Sequence, residues 1–318
     1  METETLGSWK DLRIPIVSRI TMKIIISGAS GLVGSVLVPH LESKGHRVTR
    51  LIRGSRDPAA GEVHWEPASG MLDPTILEGA DAVINLNGRS IGGSRWNRQV
   101  KHDLRRSRLD STRTLASAIT AADRPPGVLV SASAVGFYGD RGEQVLSEDA
   151  GPGNGFLAEL SRSWEKAALA AATDATRVVL LRLGMVIADG GALDKMLPPF
   201  KLGLGGPIGS GRQFWPWISM RDVLGTIDHV LEKAEISGPV NLVAPEETRC
   251  SDFAAALGKA LRRPAFMPLP AVAARLMLGE MADALLLASQ RVRPEVLRQS
   301  GFEFEEPTLA EALRSALG

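Results

Sequence analysis

With 318 residues, 44% of them hydrophobic and 23% charged, the chain has enough apolar mass for one large α/β domain or a domain with a smaller cap, which excludes general disorder. A formal net charge of +1 excludes the electrostatic footprint of a nucleic-acid or membrane-surface binder. The single cysteine, Cys250, excludes an intrachain disulfide and fits a reducing, cytoplasmic setting.

Residues 1–21 form an N-terminal extension. It is charged and lacks the apolar stretch of a signal peptide, so it is either a start-site extension or a loose arm. KIIIS (Lys23–Ser27) is a short β-branched run and predicts a buried strand. GLVGSVLVPHLESKG follows with helical periodicity and stops at Gly45. RVTRLIR (47–53), EVHW (62–65) and DAVINL (81–86) predict the second, third and fourth strands. A long helix is expected over about 97–122, a fifth strand at GVLVSAS (127–133), a helix over about 155–172, and a sixth strand at TRVVLLRLG (176–184).

Strands alternating with helices predict an α/β fold: a Rossmann-type, doubly wound parallel sheet with ligands at the carboxyl ends of its strands. The nucleotide-binding domain is placed at 22–184, with later elements interleaved. Residues 185–318 are read mainly as a smaller C-terminal substrate subdomain, beginning with a Gly- and Pro-rich stretch that holds Trp215 and Trp217. Those two rings are either a lid or stacking wall, or packing between subdomains. VVLLRLGMVIA and RLMLGEMADALLLA are broken by Arg182 and by Glu280 and Asp283. Both are shorter than the ~20 residues of a membrane span. The five histidines are not paired at ligand spacing, so no metal site is expected.

KIIISGASGLVGS puts Gly28, Gly31 and Gly34 at the first strand-to-helix corner. Gly28 suits a tight turn, Gly31 a close backbone approach to a pyrophosphate, and Gly34 close packing of helix on strand. Ser30, Leu32 and Val33 complete the loop, whose helix end offers free N–H groups and a positive dipole to phosphate. At the end of the second strand an NAD site usually carries an acidic residue. This chain has Arg53, Ser55 and Arg56, which suit a 2′-phosphate and point to NADP(H).

These residues together resemble the short-chain dehydrogenase/reductase superfamily, in its extended, epimerase-like branch. DAVINLNG (81–88) is similar to that branch's fourth-strand segment, which implies Asn85, Leu86, Asn87 and Gly88 beside the cofactor. SASAVGFYGD (131–140) is similar to its active-site segment, and FWPWISMRDV (214–223) to a segment that closes the substrate side. Further stretches, from Arg95–Trp96 through SRLDSTRTL (107–115) and SWEKAA to the tail, resemble an atypical epimerase-like family with a distinctive C-terminal domain, often labelled nucleoside-diphosphate-sugar epimerase-like. The resemblance covers nearly everything after Met22. It implies a homodimer through the two long helices as an option and names no substrate.

The superfamily's chemistry uses a Tyr and a Lys four residues later on one helix face. Counting back from Glu165, those positions are Leu157 and Ser161, so the pair is absent. Tyr138, the only tyrosine, lies just after the fifth strand. It is either the proton donor or a residue that lines or packs the pocket. A phenol with a pKa near ~10 is only ~0.1% ionised at neutral pH, so carbonyl reduction is favoured over alcohol oxidation. Ser133, with Ser131 close behind, is the candidate to orient a substrate oxygen; strand-end capping is the other reading. Glu165 and Lys166 read as a solvated face or an ion pair. Arg95, Lys101 and Arg108 read as ordinary surface charges or as a basic region for an anionic substrate. The resulting expectation is an NADP(H)-binding, epimerase-like oxidoreductase reducing a small carbonyl or sugar-like compound. The alternative is a catalytically impaired NADPH-binding sensor or scaffold.

Overall fold

The structure, a computed structural model, describes residues 21–54, 57 and 61–318. Ser55, Arg56 and the first twenty residues of the extension lie outside that set. The first half carries β1 (Lys23–Ser27), α1 (Gly34–Ser43), β2 (Arg47–Ile52), β3 (Glu62–His64), β4 (Ala82–Asn85), α2 (Arg98–Ala121) and β5 (Val128–Ala134). Then come β6 (Val145–Leu146), α3 (Phe156–Leu169), β7 (Arg177–Leu183), β8 (Met185–Ile187), α4 (Gly191–Lys201), β9 (Trp217–Ser219), α5 (Met220–Glu232) and β10 (Gly238–Leu242). The chain ends with α6 (Cys250–Leu261), α7 (Ala271–Leu278), β11 (Arg291–Val292), α8 (Glu295–Gln299) and α9 (Leu309–Leu317).

Seven strands form one parallel sheet in the order β10-β7-β5-β4-β1-β2-β3. Strand order reverses between β1 and β4, which places a ligand crevice at their carboxyl ends. Both faces are covered, so the central strands are continuous apolar runs rather than alternating ones. On one face Ile24 and Ile26 pack under Leu37 and Leu41 of α1 and Val223, Ile227 and Val230 of α5. On the other, Ile25, Val83, Leu129 and Leu180 meet Leu115 and Ile119 of α2 and Ala168 of α3.

Two elements of the sheet layers were not expected. Helix α5 is capped by Ser219, whose hydroxyl accepts from the Asp222 N–H at 3.0 Å. It leads the chain back to β10, the seventh strand, beside β7. Strand β10 is short and begins Gly-Pro. Proline is tolerated there because β10 is an edge strand. The remaining C-terminal elements build a separate core from Leu193, Trp215, Trp217, Phe253, Leu257, Leu309 and Leu313. The two tryptophans are therefore packing residues. Trp217 is 1% exposed and donates its indole N–H to Thr248 Oγ1 at 2.7 Å. Among the described residues no helix is long and apolar enough to cross a membrane.

Candidate nucleotide-binding and active site

The β1–α1 corner is sterically specified. Gly28 has φ +82°, and a Cβ there would stand 2.7 Å from the Leu86 carbonyl carbon and 2.9 Å from the Asn87 nitrogen. At Gly34 a Cβ would fall 2.3 Å from the Gly28 carbonyl oxygen. These glycines let β1 approach the β4 turn and let α1 sit on the corner. Gly31 differs: its Cβ would meet only the Gly28 oxygen, at 3.4 Å, and the residue is exposed together with Ser30 and Leu32. Val33 is half-buried and precedes α1 with no side-chain cap. The opening N–H groups and the positive helix end are thus presented to an incoming anion. Arg53 is exposed at the carboxyl end of β2.

Asn85 is 0% exposed, and its amide is held in a buried hydrogen-bond knot. It accepts from the Ser27 hydroxyl (3.1 Å) and the Asn87 amide (3.1 Å), and donates to Thr112 Oγ1 (2.8 Å) and Ser131 Oγ (3.2 Å). This knot ties β1, β4, β5 and α2 together and holds the turn that follows. Leu86 and Asn87 are half-buried there and Gly88 is exposed.

A second polar row crosses the sheet one step nearer the strand ends, where Ser133, Arg182 and Asn241 are register partners. Ser133 donates its proton to Glu165 Oε1 at 2.7 Å. Arg182 grips the same carboxylate in a fork, Nε to Oε1 at 2.8 Å and Nη2 to Oε2 at 2.9 Å. Glu165 is not a solvated face: it is 7% exposed, and Arg182 is 4% exposed.

Tyr138 belongs to this network. It is 0% exposed, and its hydroxyl accepts from Arg182 Nη1 at 2.9 Å and donates toward Asn241 Oδ1 at 2.7 Å. Burial pushes the phenol above its ordinary pKa, against the opposing pull of the Arg182 guanidinium. The hydroxyl therefore has no face turned to a substrate. Tyr138→Phe is expected to cost about 1–3 kcal/mol in urea unfolding, because Arg182 and Asn241 lose a buried partner. Leu157 and Ser161 on α3 are both buried.

Of the basic residues, Lys101 pairs with Glu280, and its Nζ lies 5.1 Å from the Phe156 ring centroid. Arg95 packs at Gly279. Arg108 is not on the surface: it is 6% exposed beneath Gly88, and burial pulls its pKa down to about 10. The composition of α2 carried no signal for that, since Arg108 sits among five other basic side chains between 98 and 113 and only its place on the helix face turns it inward.

Comparison with known proteins agrees with this geometry. Residues 24–242 match the family described as NAD dependent epimerase/dehydratase, and residues 269–316 match a domain of unknown function, DUF1731. The epimerase family protein Mb2239 of Mycobacterium bovis is 42% identical over 292 residues, covering 91% of this chain and 96% of that one. The human epimerase family protein SDR39U1 is 38% identical over 297 residues, covering 92% and 99%. A crystal structure of human SDR39U1 (isoform 2) with NADPH superposes with a TM-score of 0.85 at 36% identity, covering 93% of this chain and 99% of that chain.

Proposed function

Because this chain belongs to the NAD-dependent epimerase/dehydratase family, we propose that it binds NADP(H) and reduces a small carbonyl or sugar-like compound. The observation that carries the cofactor assignment is the β1–α1 cradle, where a Cβ on Gly28 or Gly34 would strike backbone while Gly31 stays open. Arg53, exposed at the end of β2, suits the 2′-phosphate. When bound, NADPH supplies a hydride. Ser133 lies near the carboxyl end of β5, 3% exposed, and is the hydroxyl this reading assigns to orient the substrate. Its proton is engaged by Glu165 Oε1, so it offers lone pairs and accepts from a ligand O–H or N–H. Tyr138 is sealed, and on this reading the product's proton comes from another donor.

A second reading, an NADPH-binding sensor or scaffold, is favoured by one set of observations. By the resemblance counted from Glu165, Leu157 and Ser161 stand where the family carries its Tyr–Lys pair, and the Ser133 and Tyr138 protons are both committed inside the protein. Consumption of NADPH over a panel of carbonyl compounds separates the two. The reductase reading expects turnover that Ser133→Ala removes and Tyr138→Phe spares. The sensor reading expects tight binding without turnover, and a wild-type chain that binds no NADPH defeats both. Arg53→Gln is expected to weaken NADPH about 10-fold in a fluorescence titration and to leave NADH unchanged, the loss of one charge-assisted pair.

A further inference from the structure

Helix α2 carries six lysine and arginine side chains, and three of them face a carboxylate. Lys101 pairs with Glu280, Arg105 with Glu159 and Arg106 with Asp110. Arg108 is the most buried of these, at 6% exposed, and has no carboxylate among the described residues. Its Nη1 donates to the carbonyls of Arg89 (3.1 Å) and Leu104 (3.2 Å). Its Cζ lies 5.0 Å from the Trp164 ring centroid. Nε and Nη2 make no hydrogen bond among the described residues. Burying a cation without a counter-charge is costly, and two carbonyls and one ring face offset only part of it.

The direction of the open nitrogens is set by Gly88. A Cβ there would stand 3.1 Å from Arg108 Cζ, 3.2 Å from Nη2 and 3.4 Å from Nε, so the missing side chain leaves room over that edge of the guanidinium beneath the β4 turn. Trp164, on which the guanidinium rests, lies three residues after Ser161 on the same face of α3. A cation from α2 therefore rests on α3 one turn from Ser161. We propose that Arg108 is a ligand-binding cation, holding an anionic oxygen of a phosphate or carboxylate at the carboxyl end of β4. The inference rests on the NADP(H) reading for the location of the ligand. Its chemistry allows the anion to belong either to the dinucleotide or to a second, acidic ligand.

The test compares the full wild-type chain with Arg108→Gln and Arg108→Lys. It uses NADPH fluorescence titration and thermal melts with NADPH, with inorganic phosphate, and with both. If the anion is the dinucleotide's, Arg108→Gln weakens NADPH about 10- to 100-fold and Arg108→Lys recovers part of the loss. If it belongs to a second ligand, NADPH affinity is kept, and the extra protection that phosphate gives the NADPH-saturated wild type disappears. Either outcome supports the assignment. In both, the ligand-free melting temperature of Arg108→Gln equals or exceeds that of the wild type, since an uncompensated buried charge has been removed. An Arg108→Gln chain that binds both ligands as the wild type does overturns the proposal. So does one whose melt falls equally with and without ligand, which marks a scaffold residue. A wild type that binds phosphate but not NADPH defeats the cofactor reading, and the phosphate melts then decide the role of Arg108. A wild type that binds neither defeats both.

Discussion

Glu165→Ala should lower the unfolding free energy by about 3–5 kcal/mol, the usual cost of stripping one partner from a buried ion pair. Two side chains lose their partner at once, through three donors. The Arg182 guanidinium keeps its charge, is 4% exposed and can draw no water. Its remaining contacts are the Tyr138 hydroxyl, the Glu148 carbonyl at 3.1 Å, and the face of Phe137, whose ring centroid is 3.7 Å from Cζ. Ser133 loses the acceptor of its proton. The control is the double variant Glu165→Leu with Arg182→Met. With both charges gone, apolar side chains of similar bulk should restore much of the loss, so the double variant should be clearly more stable than the sum of the single ones. Urea midpoints at constant m-value would measure this. Additive single losses would mean that the pair is not the unit the geometry makes it.

The glycines of the first corner should separate into two classes. Gly34→Ala drives a methyl to 2.3 Å from the Gly28 oxygen and 2.8 Å from the Ala29 Cα. Both are backbone atoms with nowhere to go, so the corner must open. Stability should fall by about 1–3 kcal/mol or more, and NADPH binding should drop beyond detection with it. Gly31→Ala meets one atom at 3.4 Å, and its backbone is not left-handed. That variant should melt near the wild-type temperature. It should still lose about 10-fold or more in NADPH affinity, because the added methyl occupies the space of close backbone approach. Melting curves with and without NADPH read both effects. Equal behaviour of the two variants would show that Gly31 is not where the ligand comes closest.

The sheet's first six strands and its first three long helices were legible, because buried parallel strands and amphipathic helices each leave a periodic trace. KIIIS, for example, is short, rich in β-branched residues and followed by glycine, which reads as a strand with both faces covered. Strand β10 left no such trace. GPVNL is short, opens with two residues that weaken strands, and has one covered edge. The corner glycines could be assigned because backbone sterics act within a few residues. Glu165 and Tyr138 could not, since their roles depend on groups brought in from β7 and β10. One clue stood in plain sight: Arg182 interrupts VVLLRLG, an otherwise apolar central strand. A charge there needs interior partners, and the bidentate one is Glu165. Arg108 offered nothing comparable, being one basic residue among many on a polar helix.

The return of the chain through α5 to β10 bears on how the protein is made. A nascent chain released as far as residue 184 has β7 as a bare margin of the sheet, and Tyr138 and Arg182 wait for Asn241. The surface under α5 stays wet until that helix emerges, and Leu297 and the rings of Phe302 and Phe304 join it only near the end of the chain. A chain that ends between 184 and 238 lacks β10 and Asn241, and such fragments should be ready substrates for chaperones.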